Sequence, residues 1–127
     1  MWILNPSGSI GPLRIGMAEI DYITALQSKP ELFRRSSNPD QNILDFDEDF
    51  VHLEILRYGT ISKISVFRPR EVSLSGVQIL NNPLNTVGYE LIKLGFNFVR
   101  VDAGLWNEAN RILLVEVDGI VDGIELG

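Results

Sequence analysis

The sequence predicts an α+β domain in which two helices pack on a mainly antiparallel sheet. Two stretches, 51–66 and 111–125, show strand alternation interrupted by a glycine turn, and two others have the apolar spacing of helices. At 127 residues, with 45% hydrophobic and 22% charged residues, the chain is long enough to bury a core. We therefore predict a single domain over residues 1–127.

The second stretch repeats the plan of the first, which predicts an internal duplication. Setting Gly59 over Gly119 aligns similar residues on both strands and upstream of them. The aligned pairs are Leu53/Leu113, Ile55/Val115, Ile61/Val121, Ile64/Ile124, Val66/Leu126, Phe46/Trp106 and Glu48/Glu108. The alternative is chance, because any two amphipathic hairpins resemble each other. Duplication predicts pseudo-repeat halves of about 8–68 and 72–127, each a β-α-β(3–4) unit.

In the first half, the elements before the hairpin follow from turn residues and apolar spacing. They are an edge strand over 10–15, a helix over 17–28, a strand over 32–36, a turn over 37–40 and a strand over 42–46. Pro12 is tolerated only in an edge strand, because it cannot donate to a sheet ladder. Lys29-Pro30 ends the helix, whose apolar residues Met17, Ile20, Ile23 and Leu26 recur every third position.

In the second half, the clearest element is a helix that starts near Pro83. Asn82 is the predicted N-cap, Pro83 the first helical residue and Gly95 the left-handed stop. Its buried stripe is predicted to be Leu84, Val87, Leu91 and Leu94. The other predicted elements are a joint over 67–71, strands over 73–80 and 96–102, and a short strand at 105–106.

The charge balance and the lack of cysteine restrict the function. The formal charge is −6 and there are no cysteines, so disulfides and thiolate chemistry are excluded. An acidic surface repels a phosphate backbone and attracts basic partners, which predicts no nucleic-acid ligand. No apolar run matches a membrane span or a signal peptide, so we predict a cytoplasmic protein that does not bind membranes.

The acidic run Asp45-Phe46-Asp47-Glu48-Asp49-Phe50 is the sharpest local feature. It opens like a calcium loop, but Phe50 stands where that loop needs glycine and Leu56 where it needs a bidentate acid. We therefore predict a solvated acidic turn or a patch that meets a basic partner, and no metal. The candidate partner-binding residues are Asp45, Phe46, Asp47, Glu48, Asp49, Trp106 and Glu108. Aromatic rings among charges are typical of interface hot spots, although the same rings are equally suited to a core.

His52 is the only histidine and shares a strand face with Glu54. The pair has the groups for acid–base chemistry, but no nucleophile elbow, phosphate loop or second histidine accompanies it. The spacing of Gly8, Gly11 and Gly16 fits neither common phosphate-binding motif. We predict no catalytic residue and no cofactor.

The segment 10–17, IGPLRIGM, followed by a helix, resembles the entry to domains of the β-lactamase inhibitory protein type. That resemblance implies tandem helix and four-stranded sheet units, although each half here offers one helix instead of two. In size, acidity and lack of catalytic groups, the chain also resembles bacterial immunity proteins of contact-dependent growth inhibition systems. This second resemblance implies a cytoplasmic inhibitor that covers a toxin domain.

The leading functional hypothesis is an immunity-type binding protein, monomeric or weakly dimeric, that masks the basic active site of a cognate toxin, such as a nuclease. One alternative is an assembly domain that self-associates through an exposed edge such as strand 120–126. Another is a small enzyme or ligand carrier with a pocket between helix and sheet.

Overall fold

The protein is described by a computed structural model over residues 1–33, 41–56 and 59–127. These ranges form an α+β architecture with two helices and two mostly antiparallel sheets. The strands in chain order are β1 (Trp2–Asn5), β2 (Ser9–Ile10), β3 (Leu13–Arg14), β4 (Glu31–Phe33), β5 (Gln41–Phe46), β6 (Val51–Leu56), β7 (Ile61–Phe67), β8 (Val72–Leu74), β9 (Val77–Gln78), β10 (Val99–Val101), β11 (Gly104–Asn107), β12 (Ile112–Val117) and β13 (Ile120–Leu126). The helices are α1 (Glu19–Ala25) and α2 (Leu84–Lys93), and a 3-10 helix covers Asp47–Asp49.

The larger sheet has the order β10-β11-β12-β13-β7-β6-β5-β4 among the described strands. All its neighbours are antiparallel, and both predicted hairpins are present as β6–β7 and β12–β13. The two halves of the chain meet at its centre, where β7 pairs with β13 and Val66 lies opposite Ile124. The edge strand expected at 120–126 is therefore wrong, because β13 is hydrogen-bonded on both sides.

The smaller sheet has the order β3-β2-β1-β8-β9. Its β1 and β8 are parallel, with Trp2 opposite Val72, so the N-terminus pairs with the start of the second half. The predicted strands 10–15 and 73–80 are each replaced by a tight hairpin of very short strands. Pro12 lies between β2 and β3, and Gly76 between β8 and β9, which places these turn-forming residues at the bends.

The core lies between the two sheets and the helices. It is one cluster containing residues of the smaller sheet, of both helices and of one face of the larger sheet. From α2 it takes Leu84, Val87 and Leu91, as predicted, whereas Leu94 follows the helix and is exposed. Gly95 has the expected positive φ. The N-cap is Pro83 rather than Asn82, whose side-chain amide donates to the carbonyls of Gln78 and Leu80.

Helix α1 differs from its prediction in length and in the side it buries. The predicted stripe is wrong at Ile20 and Ile23, which are exposed, but Leu26 is buried, and Tyr22 is the buried residue of the helix itself. Tyr22 and the following Leu26 are four residues apart, which fits the helical repeat better than the strict spacing of three. Strand β4 includes the start of the predicted strand 32–36, whereas the remainder of that strand and the predicted turn 37–40 lie outside the described residues. The strand predicted over 96–102 is limited to β10.

The sequence alignment of the two hairpins matches buried residues on the second strand and is offset by one residue on the first. Ile64 and Ile124, aligned in the sequence, are both buried. Leu53 is buried opposite Ile64, but the residue opposite Ile124 is Leu114, not Leu113. The first hairpin has one more residue between these partners. A shift of one residue turns a strand side chain to the other face, so Leu113 points away from the core.

Candidate functional site

The larger sheet has one face toward the core and one face, here called the outward face, toward solvent. Paired residues on antiparallel strands point to the same side, so the pairing identifies the members of each face. One row of paired residues, here called the central row, crosses the outward face through all eight strands. From β4 to β10 it consists of Glu31, Asp45, His52, Ser65, Glu125, Leu113, Trp106 and Val99. Among the described residues, the hydrophobic core cluster includes none of these.

The central row brings together two predicted site residues from different halves of the chain. Asp45 lies on β5 and Trp106 on β11, and both are half-buried. Their alternation with the inward-facing Phe46 and Leu105 explains why they reach the same face. The outward face therefore carries an acidic residue on β5 and a large aromatic ring on β11, with four strands between them.

Two further predicted acids lie close to this face. Asp47 and Glu48 belong to the 3-10 helix that joins β5 to β6, and both are exposed. A shallow cavity of about 320 Å³ is lined by Asp45, Asp47, Phe50, Val51, His52, Phe67, Arg68 and Asp122. The acidic turn thus borders the outward face next to Asp45.

Asp49 is a structural residue, which corrects its prediction as a partner-binding acid. It is 4% exposed, and its carboxylate accepts hydrogen bonds from the backbone N–H of Ser28 at 2.9 Å and from Ser28 Oγ at 2.6 Å. The backbone N–H of Gln27 donates at 3.1 Å, and Arg70 Nη2 lies 3.8 Å away. Burial raises the pKa of Asp49, but these hydrogen bonds and the Arg70 charge outweigh it, so the pKa lies below its usual value.

Phe46 is also unavailable to a partner. It is fully buried and meets Tyr22 edge to face with 6.2 Å between ring centroids. It pairs with Val51, whereas Trp106 pairs with Leu113 on the opposite face. The aromatic residue that the acidic turn exposes is Phe50, which is 40% exposed and has a φ of 58°.

Trp106 and Glu108, predicted together, are in contact. The indole Nε1 of Trp106 donates to Glu108 Oε2 at 2.6 Å, and the guanidinium of Arg111 lies 5.9 Å from the ring centroid. The hydrogen bond satisfies the indole N–H, and the half-buried ring keeps apolar surface beside the Arg111 guanidinium.

His52 occupies the central row beside Asp45. Its Nε2 lies 3.2 Å from Asp45 Oδ1, and its ring meets Phe67 edge to face at 4.8 Å between centroids. Glu54, two residues on, shares the face and lies 4.0 Å from Lys63 Nζ. These polar residues lie on the neighbouring strands β5, β6 and β7 of the first half.

Sequence reasoning missed the apolar side chains that surround Trp106. Leu113 and Val115 lie outward on β12, and Val99 and Val101 lie outward on β10. The segment 112–115, ILLV, is apolar on both strand faces, in contrast to VHLE at 51–54. That difference was the available sign that the second half exposes apolar residues on the outward face.

A second cavity, of about 490 Å³, lies between α1 and strands β5 and β6. Glu19, Tyr22, Asn42, Leu44 and Ile55 contribute to its lining. Asn42 Oδ1 is buried and has no hydrogen-bond partner among the described residues. A ligand with an N–H or O–H group would satisfy it.

Within residues 1–33, 41–56 and 59–127, no three acidic or histidine side chains are grouped so that they could hold a metal ion. No helix in these ranges has the length and apolar character needed to cross a membrane. Comparison with protein-family models, curated proteins and solved structures finds no match to this chain.

Proposed function

We propose that this protein is a non-catalytic binding protein of the immunity or inhibitor type, which masks the basic active site of a cognate toxin in the cytoplasm. The observation that carries the proposal is the presence of Asp45 and Trp106 in one row of the outward face. An aromatic anchor and a carboxylate on a rigid sheet are suited to a preformed interface. Asp47, Glu48 and Glu108 are the exposed acids that extend it.

The net negative charge of the chain gives a second argument for the proposal, because it attracts a basic partner at long range. The formal charge of −6 speeds encounter with a basic partner and slows encounter with nucleic acid. A toxin that acts on a phosphate-containing substrate has the basic surface that this charge would attract. Carboxylates at Asp45, Asp47 and Glu48 would occupy the region where such a toxin holds phosphate.

We further infer that the halves 8–68 and 72–127 are pseudo-repeats. In each half a short hairpin is followed by a helix and then by four strands that end in a long hairpin. The strand order β10-β11-β12-β13 on one side of the larger sheet corresponds to β4-β5-β6-β7 on the other. Duplication would account for the width of the outward face. It would also agree with the tandem units of proteins that resemble β-lactamase inhibitory protein.

The test is affinity capture from the native host, followed by reconstitution with the captured polypeptide. We expect a basic polypeptide that is released at high salt, that inhibits growth when expressed alone, and that is neutralised by co-expression with this protein. The charge-removing variant Asp45→Asn/Asp47→Asn should weaken the purified complex several-fold. Absence of a toxic partner, or a complex insensitive to both salt and the substitutions, would count against the proposal.

A second candidate function is the binding of a small ligand between α1 and the larger sheet. The buried Oδ1 of Asn42, which has no hydrogen-bond partner in the described part of the chain, favours it. A metabolite thermal-shift screen should then give a compound that stabilises the wild type but not Asn42→Leu. If no compound distinguishes the two proteins, this candidate is wrong.

A further inference from the structure

The outward face is divided into two halves of different chemistry. On β4, β5 and β6 it presents Glu31, Asp45 and Glu54, here called the acidic half, together with the half-buried His52 and Ile43. On β10, β11 and β12 it presents Val99, Val101, Trp106, Leu113 and Val115, here called the apolar half. In the acidic half Glu31 is paired with Asp45, and in the apolar half Val99, Trp106 and Leu113 are paired in one row.

The cations on this surface do not neutralise the acidic half. Lys63 lies between two acids, 3.6 Å from Glu125 and 4.0 Å from Glu54. Arg68 Nε donates to Asp122 at 2.6 Å. Both cations are already paired with acids, and Asp45 lies beside His52, so among the described residues acids outnumber lysine and arginine on this part of the face.

The apolar half has the exposure expected of a contact surface. Val99 is 59% exposed at the sheet edge, and Trp106, Leu113 and Val115 are half-buried. The eight strands, three to seven residues long and about 4.8 Å apart, give the whole outward face an area of about 670 Å². That area is close to the roughly 800 Å² that one partner contributes to a stable interface.

Resting on the proposed function, we propose that the partner is a protein whose contact surface combines an apolar patch with adjacent arginine or lysine residues. The apolar patch packs on the indole face of Trp106, on Leu113 and on Val99. The cationic side chains lie against Asp45 and Glu31. Both halves contribute to the affinity: the apolar half through burial of its side chains, and the acidic half through charge attraction that also fixes the orientation and speeds association.

The test uses synthetic peptides as probes and needs no natural partner. A short peptide of alternating arginine and leucine is titrated into the ¹⁵N-labelled full chain. Matched peptides carry serine in place of leucine or glutamate in place of arginine. We expect the arginine–leucine peptide to shift amide resonances on β5, β6, β11 and β12. The serine peptide should bind about tenfold more weakly and the glutamate peptide should not bind.

Two variants test whether the peptide binds specifically to the apolar half or non-specifically to any exposed apolar side chain. Leu113→Lys should weaken the arginine–leucine peptide about tenfold, whereas Ile92→Lys, on the exposed side of α2, should leave binding within about twofold. Val99→Lys, at a more exposed site, serves as the second test should Leu113→Lys fail to fold.

Resonance shifts on α1 and α2, equal binding of the serine peptide, or a dimer of this chain dissolved by Val99→Lys would each overturn the proposal. A toxin partner that binds elsewhere overturns it too, whereas the absence of any toxin affects only the proposed function.

Discussion

Asp47 and Asp49 lie two residues apart in one 3-10 helix, but only Asp49 is enclosed by donors. Asp49→Ala leaves two backbone N–H groups and Ser28 Oγ without their acceptor and removes the carboxylate near Arg70, whose Nε still donates to the main-chain carbonyl of residue 49. We expect it to lower the free energy of unfolding by about 2–4 kcal/mol. The exposed Asp47→Ala should change it by less than about 0.5 kcal/mol. Urea denaturation measures both, and equal effects would refute the structural role of Asp49.

The same carboxylate predicts a dependence of stability on pH. The pKa of Asp49 is lowered in the folded state, so its contribution is complete above the unfolded value of about 3.9 and is lost as pH falls through the folded pKa. The stability difference between the wild type and Asp49→Asn should therefore be largest above about pH 5 and shrink below about pH 4. A difference that stays constant across this window in urea titrations would be inconsistent with a lowered pKa.

At the scale of the element, strand alternation decides which aromatic residue reaches the surface. Phe46 and Trp106 were aligned in the sequence, yet Phe46 is buried and Trp106 faces outward. Phe46→Ala should cost about 3–5 kcal/mol, because it leaves a cavity beside Tyr22. Phe50→Ala, at the exposed aromatic site of the same turn, should cost less than about 1 kcal/mol. Thermal unfolding of both variants checks this, and a reversed order would contradict the described register.

Elements whose sequence pattern is local were predictable, and elements that depend on distant partners were not. Hairpins β6–β7 and β12–β13 and helix α2 follow from alternation, turns and apolar spacing within each segment. Strand β1 was missed, because its pairing with β8 joins residues that are distant in the chain. The two short hairpins were each predicted as one strand, since strands of two or three residues are too short to show alternation.

The site was predictable only in part, for the same reason. The acidic residues Asp45, Asp47 and Glu48 and the Trp106–Glu108 pair were identified from local composition. The roles of Phe46 and Asp49 depend on burial, which a composition rich in acids and aromatics does not determine. The outward face itself exists because β7 pairs with β13, and that contact joins the two halves of the chain.

At the scale of the whole molecule, we propose that the partner covers Trp106 on the outward face. The chain has two tryptophans, and Trp2 lies under the guanidinium of Arg70, 3.7 Å from its ring centroid. Trp2→Phe therefore leaves Trp106 as the single fluorescent reporter of this surface. A matched Trp106→Phe variant reports on Trp2, which should not respond to binding.

The most direct measurement is the fluorescence of Trp106 in the Trp2→Phe protein during titration with the arginine–leucine peptide, and later with a purified partner. Burial of the indole face predicts a blue-shifted emission and protection from iodide quenching, both saturating with the binding curve. Binding detected by calorimetry with no change in emission or quenching of Trp106 would contradict the account.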